Sequence, residues 1–396
     1  MNLIILATTN INLIKYKSAY GVNSTSNRSK FYPLHFAVLY NTEALRLMLF
    51  IVKEVDINTK DDRGRTPLHI AIQYQPDIVP LLLNMEGIDV NIKDVKGRMS
   101  LHIAIKWQPE GVLLLMNVEE IDINTKDNLG WSPLHYAARY LPSVISLLLN
   151  VDGIDVNTTS YNRRSALHLA ALYQLDSVPL LLNVEGIDVN MQDNNKCTPL
   201  HIAVQFRPKV VPLLVKVDGL DVNLKTETGS ASLHLAIQYQ PDVVPLLLNV
   251  DGIDVNTTSY NRWSALHYAI RYHIVPLLLN VEGIDVNIKD NLGQTPLHWA
   301  AIEPDIIPLL LNMEGIDVNA KCYYGRPPLH YVARYNPKVV PMIENYLNND
   351  LNQSNKLVPE TEEIVLEINE CRDIKAILTE IFGYKNDKNI FIINNK

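Results

Sequence analysis

The sequence predicts an all-α solenoid, a row of stacked helix–turn–helix units. Ten of the eleven histidines directly follow a leucine, and successive members of that set are 31 to 34 residues apart. Such regular spacing indicates a tandem array of ten units. Each unit holds two short apolar segments, and helices of that length are marginal in water when isolated. The apolar face of one unit must therefore be covered by its neighbours, as in other solenoids.

The first half of each unit is predicted to be a short helix, as in the segment that begins TPLHIAIQY. Thr66 suits the N-cap position, because its hydroxyl accepts a hydrogen bond from a backbone N–H group in the first helical turn. Pro67 suits the first helical position, where a missing N–H group costs nothing. The apolar spacing then predicts a helix that ends at about Tyr74.

The second half of the unit is predicted to be a second helix followed by a hairpin-like loop. Pro76 interrupts the chain, and we expect Asp77 to cap the second helix. The leucines at 81–83 give this helix its buried face, and Gly87 is expected to end it in a left-handed C-cap. Residues 88–97 then alternate between apolar and polar before a turn.

Composition excludes several classes of protein. The 396-residue chain is 47% hydrophobic and 20% charged, as soluble folded proteins are. Its 35 basic and 43 acidic residues give a net charge of −8, which argues against a generally basic nucleic-acid-binding protein. Its three cysteines have no short spacing, so neither a disulfide framework nor a zinc cluster is predicted. With no export signal and no apolar stretch that could cross a bilayer, we expect a cytoplasmic protein without membrane insertion; secretion without a classical signal stays open.

The recurring segments TPLH, LLL, GIDVN and KDxxG, repeated at a period of 33 residues, resemble the ankyrin repeat. The resemblance covers residues 31 to about 347 and implies an ankyrin-repeat solenoid with β-hairpin-like loops. It also implies that the repeated histidine and the Thr or Ser three residues before it form a structural hydrogen-bond network. One departure is systematic: the turn between the helices reads Tyr-x-Pro, where ankyrin units usually carry a Gly-His pair.

The array is expected to have distinct ends. Residues 1–30 resemble a degenerate N-terminal capping repeat, residues 31–348 form the array, and residues 349–396 form a linker and a C-terminal helix. Within the array, the units around His267 and His298 are two and one residues shorter than the period.

Neither catalysis nor a metal site is predicted. Consecutive histidines lie one unit apart, about 10 Å if units stack at the helix diameter, whereas zinc ligands lie about 2 Å from one shared ion. The sequence contains no phosphate-binding loop, HExxH or GxSxG motif. We therefore expect a protein that is not an enzyme and needs no cofactor.

An aromatic residue stands five positions after nine of the ten repeated histidines. These residues are Tyr40, Tyr74, Trp107, Tyr140, Tyr173, Phe206, Tyr239, Tyr272 and Tyr335. One interpretation is a buried packing column that seals the unusual turn. The other is an exposed stripe along the binding groove, since this end of the first helix often contacts the ligand in ankyrin proteins.

The resemblance implies that a partner would bind the loop tips and the concave face of the first helices. The candidate contact residues at these positions are Arg65, Arg98, Lys106, Trp131, Arg139, Tyr161, Arg164, Tyr260, Trp263, Arg271, Tyr323, Tyr324, Arg326 and Arg334. Arg, Trp and Tyr are the residue types enriched at interface hot spots. The hypothesis is a basic, aromatic-rich groove that selects an acidic protein segment. The alternative is that aspartates at turn positions such as Asp94 neutralise part of this charge.

The sequence therefore predicts a monomeric, non-enzymatic scaffold for protein–protein interaction. A second possibility is an adaptor or effector in which the repeats select a client and the tail recruits machinery such as a ubiquitin ligase. The segment LVPETEEIVLEI, which begins at Leu357, resembles the start of an F-box-like helix pair only faintly.

Overall fold

The computed structural model describes residues 33–51 and 56–354. The predicted capping repeat at 1–30 and nearly all of the predicted tail at 349–396 lie outside these ranges, as do the residues on which the adaptor alternative depends. The chain divides into two compact units, Met1–Tyr260 and Asn261–Lys396, each described by itself below. In the described part of the chain, no helix is long and apolar enough to cross a membrane.

The first unit consists of paired helices, as the sequence predicts. The first helices of its repeats are Pro33–Tyr40, Pro67–Tyr74, Ser100–Trp107, Pro133–Tyr140, Ala166–Tyr173, Pro199–Phe206 and Ser232–Tyr239. The second helices are Thr42–Ile51, Val79–Leu83, Pro109–Met116, Ile145–Leu149, Ser177–Leu182, Val211–Leu214 and Val244–Leu248. Short 3₁₀ turns precede four of these second helices, at Pro76–Ile78, Pro142–Val144, Pro208–Val210 and Pro241–Val243.

The second unit contains the two shortened repeats and one of normal length. Its first helices are Ala265–Arg271, Pro296–Trp299 and Pro328–Tyr335, and its second helices are Ile307–Leu311 and Val340–Ser354. Its 3₁₀ turns are Val275–Leu277, Ala300–Ile302, Pro304–Ile306 and Pro337–Val339. The last helix continues six residues beyond the array boundary that the sequence predicts at 348.

Because two repeats are shorter than the period, their helices differ from those of the other repeats. In the repeat of His267 the turn closes at His273, whose φ is 60°. The second helix of that repeat is reduced to the 3₁₀ turn Val275–Leu277. In the repeat of His298 the first helix tightens from α to 3₁₀ after Trp299. A 3₁₀ turn uses fewer residues per turn, so it bridges the same two ends with a shorter chain.

Two details of the predicted repeat are wrong. Asp77 does not cap the second helix, because it lies inside the 3₁₀ turn Pro76–Ile78, for which no side-chain cap hydrogen bond forms. Gly87 is left-handed, with φ +76°, but the helix before it already ends at Leu83. The fixed φ of Pro76 starts a turn directly, which leaves no extended residue where an aspartate cap would sit.

The core of each repeat is made by its two helices together. Leu68, Ala71 and Ile72 of one first helix are fully buried, and so are Val79 and Leu82 of the helix that follows. Burying one such leucine or isoleucine contributes about 1.5–3 kcal/mol relative to leaving it exposed. The same positions are buried in repeat after repeat, so the core runs along each unit.

A ladder of asparagines joins neighbouring repeats. The Asn58 side chain donates to the Gly87 carbonyl at 2.7 Å and accepts from the Asp89 backbone N–H at 3.0 Å. In the second unit, Asn287 donates to the Gly315 carbonyl at 2.7 Å and accepts from the Asp317 backbone N–H at 2.8 Å. Both polar atoms of each amide are therefore satisfied by the backbone of the next repeat.

Candidate functional site

The repeated histidines are structural hydrogen-bonding groups. His69 Nδ1 accepts from the Thr66 backbone N–H at 3.2 Å and lies 2.8 Å from the Thr66 hydroxyl. Its Nε2 lies 3.1 Å from the Arg98 carbonyl in the next repeat. A carbonyl can only accept, so Nε2 carries the proton and the ring is neutral. The network that the resemblance implies is therefore present, and at His69, His102, His135, His168 and His298 it extends from the first helix to the next loop.

Burial keeps these rings neutral. It lowers the pKa of His69 to about 4, and the hydrogen bond to the Arg98 carbonyl opposes that change only in part. The same direction and value hold for His102, His135, His168, His201 and His298. A buried ring with both nitrogens occupied is not an accessible general base. Among the residues that the structure describes, no group of His, Cys, Asp and Glu is placed to hold a metal ion.

Aspartates hold the loop tips. Asp94 Oδ1 accepts from the backbone N–H groups of Lys96 at 2.8 Å and Arg98 at 2.9 Å. Its Oδ2 lies 2.7 Å from the Arg98 guanidinium. Two more candidate arginines are paired with aspartates, Arg65 with Asp61 of its own loop at 2.8 Å and Arg164 with Asp193 of the following repeat at 3.1 Å.

These ion pairs neutralise the positive charge of the loop arginines Arg65, Arg98 and Arg164. Burial raises the pKa of Asp94, but hydrogen bonds from Arg98 and its positive charge outweigh burial and hold that pKa below its ordinary value. The carboxylate is thus ionised at neutral pH and balances the guanidinium. For Arg65, Arg98 and Arg164, the structure supports the alternative that turn aspartates neutralise the tips. Arg326 is half-buried like these three but differs from them, because it forms no ion pair with another described residue.

Tyrosines project from several other loop tips. Tyr161 and Tyr260 are 68% and 61% exposed. Their loops carry Ser160 and Ser259 at the position that Asp94 occupies in its loop. In the second unit, Tyr323 and Tyr324 are also exposed. These four candidates are therefore accessible to a partner.

The nine aromatic residues at the ends of the first helices are not a buried column. Tyr40, Tyr74, Trp107, Phe206 and Tyr239 are between 41% and 53% exposed. The other four are half-buried. The buried-column interpretation is wrong, and the arrangement is a partly exposed stripe in each unit.

Lys106 lies within this stripe. Its ammonium group is 5.0 Å from the centre of the Trp107 ring and 5.0 Å from that of Tyr140. It forms no ion pair with another described residue. Partial burial, followed by the positive charges of Arg98, Arg139 and Lys96, lowers its pKa.

Arg139 lies on three aromatic rings. Its guanidinium carbon is 4.1 Å from the centre of the Tyr173 ring, 5.0 Å from that of Tyr140 and 5.3 Å from that of Trp131. In the described part of the chain, no carboxylate pairs with this guanidinium. Stacking covers the faces of a guanidinium and leaves the N–H groups at its edge able to donate. Together, Lys106 and Arg139 with Trp107, Trp131, Tyr140 and Tyr173 form what we call the cation–aromatic cluster.

The second unit contains related contacts. The Arg271 guanidinium carbon is 5.4 Å from the centre of the Trp263 ring. Arg334 stands at the same repeat position and is 5.7 Å from the centre of the Tyr335 ring. His273 is exposed in its turn, and its Nδ1 lies 3.5 Å from a carboxylate oxygen of Glu303.

Sequence reasoning did not separate the two kinds of candidate cation. The signal for the paired loop arginines is an aspartate four positions earlier, as for Asp61 and Arg65. Arg164 has Ser160 at that position and reaches Asp193 in the following repeat, a contact that no local spacing indicates.

A match to a protein family agrees with this description. A family model described as ankyrin repeats in three copies matches residues 3–94, 73–160, 101–193, 142–226, 167–259, 200–290 and 266–355. No curated protein matches the chain significantly. A solved structure, the ankyrin repeat domain of Bcl-3, titled a unique member of the IkappaB protein family, is 29% identical. That match covers 54% of this chain and 99% of the solved one, with a TM-score of 0.49. Because the family model covers most of its length, the chain belongs to the ankyrin repeat family.

Proposed function

We propose that this chain is a non-enzymatic scaffold that binds an acidic segment of a partner protein through the cation–aromatic cluster and the exposed aromatic stripe. Ankyrin repeats generally mediate protein–protein interaction, and the family is typically not enzymatic. A cytoplasmic location is part of the proposal and is consistent with three cysteines that have no paired spacing.

The proposal depends most on the surroundings of Lys106 and Arg139, two cations that lie against aromatic rings. Both are half-buried, both lie on aromatic rings, and neither is paired with a described carboxylate. A partner carboxylate would provide the missing negative charge in a place where neighbouring rings already exclude part of the water. Charge-assisted hydrogen bonds of this kind are roughly twice as strong as neutral ones.

The surrounding rings fit the same role. Trp107 is 53% exposed and lies next to the Lys106 ammonium group. Tryptophan, tyrosine and arginine are over-represented among the residues that contribute most to binding. A segment that places acidic groups at the cations could therefore bury apolar atoms against the rings. Of the loop tips, Tyr161 and Tyr260 are the exposed candidates in the first unit, whereas the paired arginines have a structural role.

The test is a titration of the full chain into fluorescein-labelled hexaglutamate, followed by fluorescence anisotropy. We expect hexaglutamate to bind, hexaglutamine to bind much more weakly, and added salt to weaken the hexaglutamate complex. The double variant K106A/R139A should bind hexaglutamate at least about tenfold more weakly.

The matched control is K209A, which removes an exposed lysine from the turn before a second helix. This variant should leave the affinity unchanged, because Lys209 belongs to neither the cluster nor the stripe. Equal binding of hexaglutamine, or an equal loss of affinity in K209A and K106A/R139A, would contradict the proposal.

A further inference from the structure

A ten-residue segment occurs twice in the chain in nearly the same form. Trp131–Tyr140 reads WSPLHYAARY and Trp263–Tyr272 reads WSALHYAIRY, which differ at two positions. One copy lies in the first unit and the other in the second. A third segment, Arg326–Tyr335, reads RPPLHYVARY and has arginine in place of the tryptophan.

The two copies with tryptophan share two contacts, although Trp263 also packs against Trp299 at 4.7 Å and Arg271 is exposed where Arg139 is half-buried. Trp131 and Tyr136 meet edge to face with ring centres 5.6 Å apart, and Trp263 and Tyr268 do so at 5.6 Å. The guanidinium of Arg139 lies 5.3 Å from the centre of the Trp131 ring, and that of Arg271 lies 5.4 Å from that of Trp263. The tryptophan side chains are half-buried in both copies.

In both copies the indole ring lies against the guanidinium group of the arginine and limits its orientation. A guanidinium against an indole ring keeps its orientation, and the N–H groups at its edge match the two oxygens of a carboxylate. Arg139 shows that the arrangement does not require an internal acid, since no carboxylate in the described part of the chain pairs with it. Arg334 lacks the indole, because Arg326 stands at the tryptophan position, and its guanidinium carbon lies 5.7 Å from the centre of the Tyr335 ring.

We propose that each unit carries one copy of the same carboxylate-binding subsite, Trp131 with Arg139 in the first unit and Trp263 with Arg271 in the second. The partner of this chain accordingly carries two acidic anchoring segments. The proposal rests on the proposed function and adds to it the number and location of the anchoring points. Two linked anchors raise the overall affinity well above that of either one, because the second contact is made within the same complex.

The experiment is a calorimetric titration of the full chain with unlabelled hexaglutamate, which reports the number of peptides bound. We expect two equivalents of unequal affinity for the unaltered chain, the tighter one at Arg139, where Lys106 adds a second positive charge, and one at least about tenfold weaker at Arg271. R139A and R271A should each bind one equivalent, and the double variant R139A/R271A none. Circular dichroism of each variant shows whether it is folded before it is titrated.

The matched control is R334A, the same change at the same repeat position where no indole is present. It should still bind two equivalents. One equivalent in the unaltered chain, with R271A behaving like that chain, would overturn the duplicated subsite and leave the proposed function standing. Loss of an equivalent in R334A would also overturn it, because the tryptophan would then be irrelevant. No binding of hexaglutamate at all would contradict the proposed function itself.

Discussion

Two sets of cations with the same charge have different roles in the first unit. The loop arginines Arg65 and Arg98 lie against aspartates of their own loops, at 2.8 and 2.7 Å. Lys106 and Arg139, at the ends of first helices, lie against aromatic rings instead. Counting both sets as one basic surface therefore overstates what a partner meets at the loops, and the helix ends carry the charge that is left for binding.

The largest expected effect is the loss of stability in acid, which acts on the loops that carry the paired arginines. The loops are held by the buried histidines, as His69 is bonded to the carbonyl of Arg98. Burial holds the pKa of His69 at about 4, whereas an unfolded histidine titrates near 6.5. The unfolded chain therefore takes up protons first as the pH falls, and the stability that is complete above about pH 6.5 is lost progressively toward pH 4. Each such histidine lowers the free energy of unfolding by roughly 2 kcal/mol at pH 5.

The measurement is urea unfolding followed by circular dichroism at about pH 7.5 and about pH 5. With His102, His135, His168 and His201 titrating in the same way, the midpoint should fall steeply at the lower pH. Equal midpoints at the two values would contradict the neutral histidine network.

The next test removes one member of each set of cations. R98A leaves the buried Asp94 carboxylate without its partner, so it should lower the free energy of unfolding by about 2–3 kcal/mol. R139A leaves no buried charge unpaired and removes only ring contacts, so it should cost about 1 kcal/mol or less. Urea unfolding of both variants at neutral pH measures the difference. A larger loss in R139A than in R98A would reverse the two roles.

A smaller effect on stability concerns how closely neighbouring loops pack. Gly97 and Gly87 are both left-handed, with φ of +75° and +76°. An added Cβ at Gly97 would lie 2.7 Å from the Asn128 backbone nitrogen in the next loop, whereas at Gly87 it would meet nothing within 4 Å. G87A should therefore cost about 1 kcal/mol, from its backbone conformation alone, and G97A about 1–3 kcal/mol more. Equal losses of stability would show that neighbouring loops do not pack closely.

Most of the fold follows from the sequence because it repeats. The histidine spacing and the Thr66–Pro67 start predict the helix Pro67–Tyr74 with its observed bounds. Of the leucines at 81–83, which the sequence predicts as the buried face of the second helix, only Leu82 is buried, because a helix this short has only one covered face. These features depend on residues near one another in the chain, and each recurs often enough to stand out.

The candidate site was harder to predict, because it depends on which groups meet between repeats. Arg139 contacts Tyr173 of the following repeat, and Arg164 contacts Asp193 of the following repeat. Residue type alone gives both arginines the same rank as contact candidates. The exposure of Tyr74 and Trp107 likewise depends on how closely each turn packs against the neighbouring repeats. The sequence of a single repeat does not contain that information.

The cations at the helix ends, and not the loop arginines, are proposed to meet an acidic partner. The most direct measurement is the affinity of labelled hexaglutamate for K106A/R139A and for R65A, side by side at low salt. We expect K106A/R139A to bind at least about tenfold more weakly than the unaltered chain and R65A to remain within about threefold. A tenfold loss in R65A, with K106A/R139A unchanged, would contradict the claim.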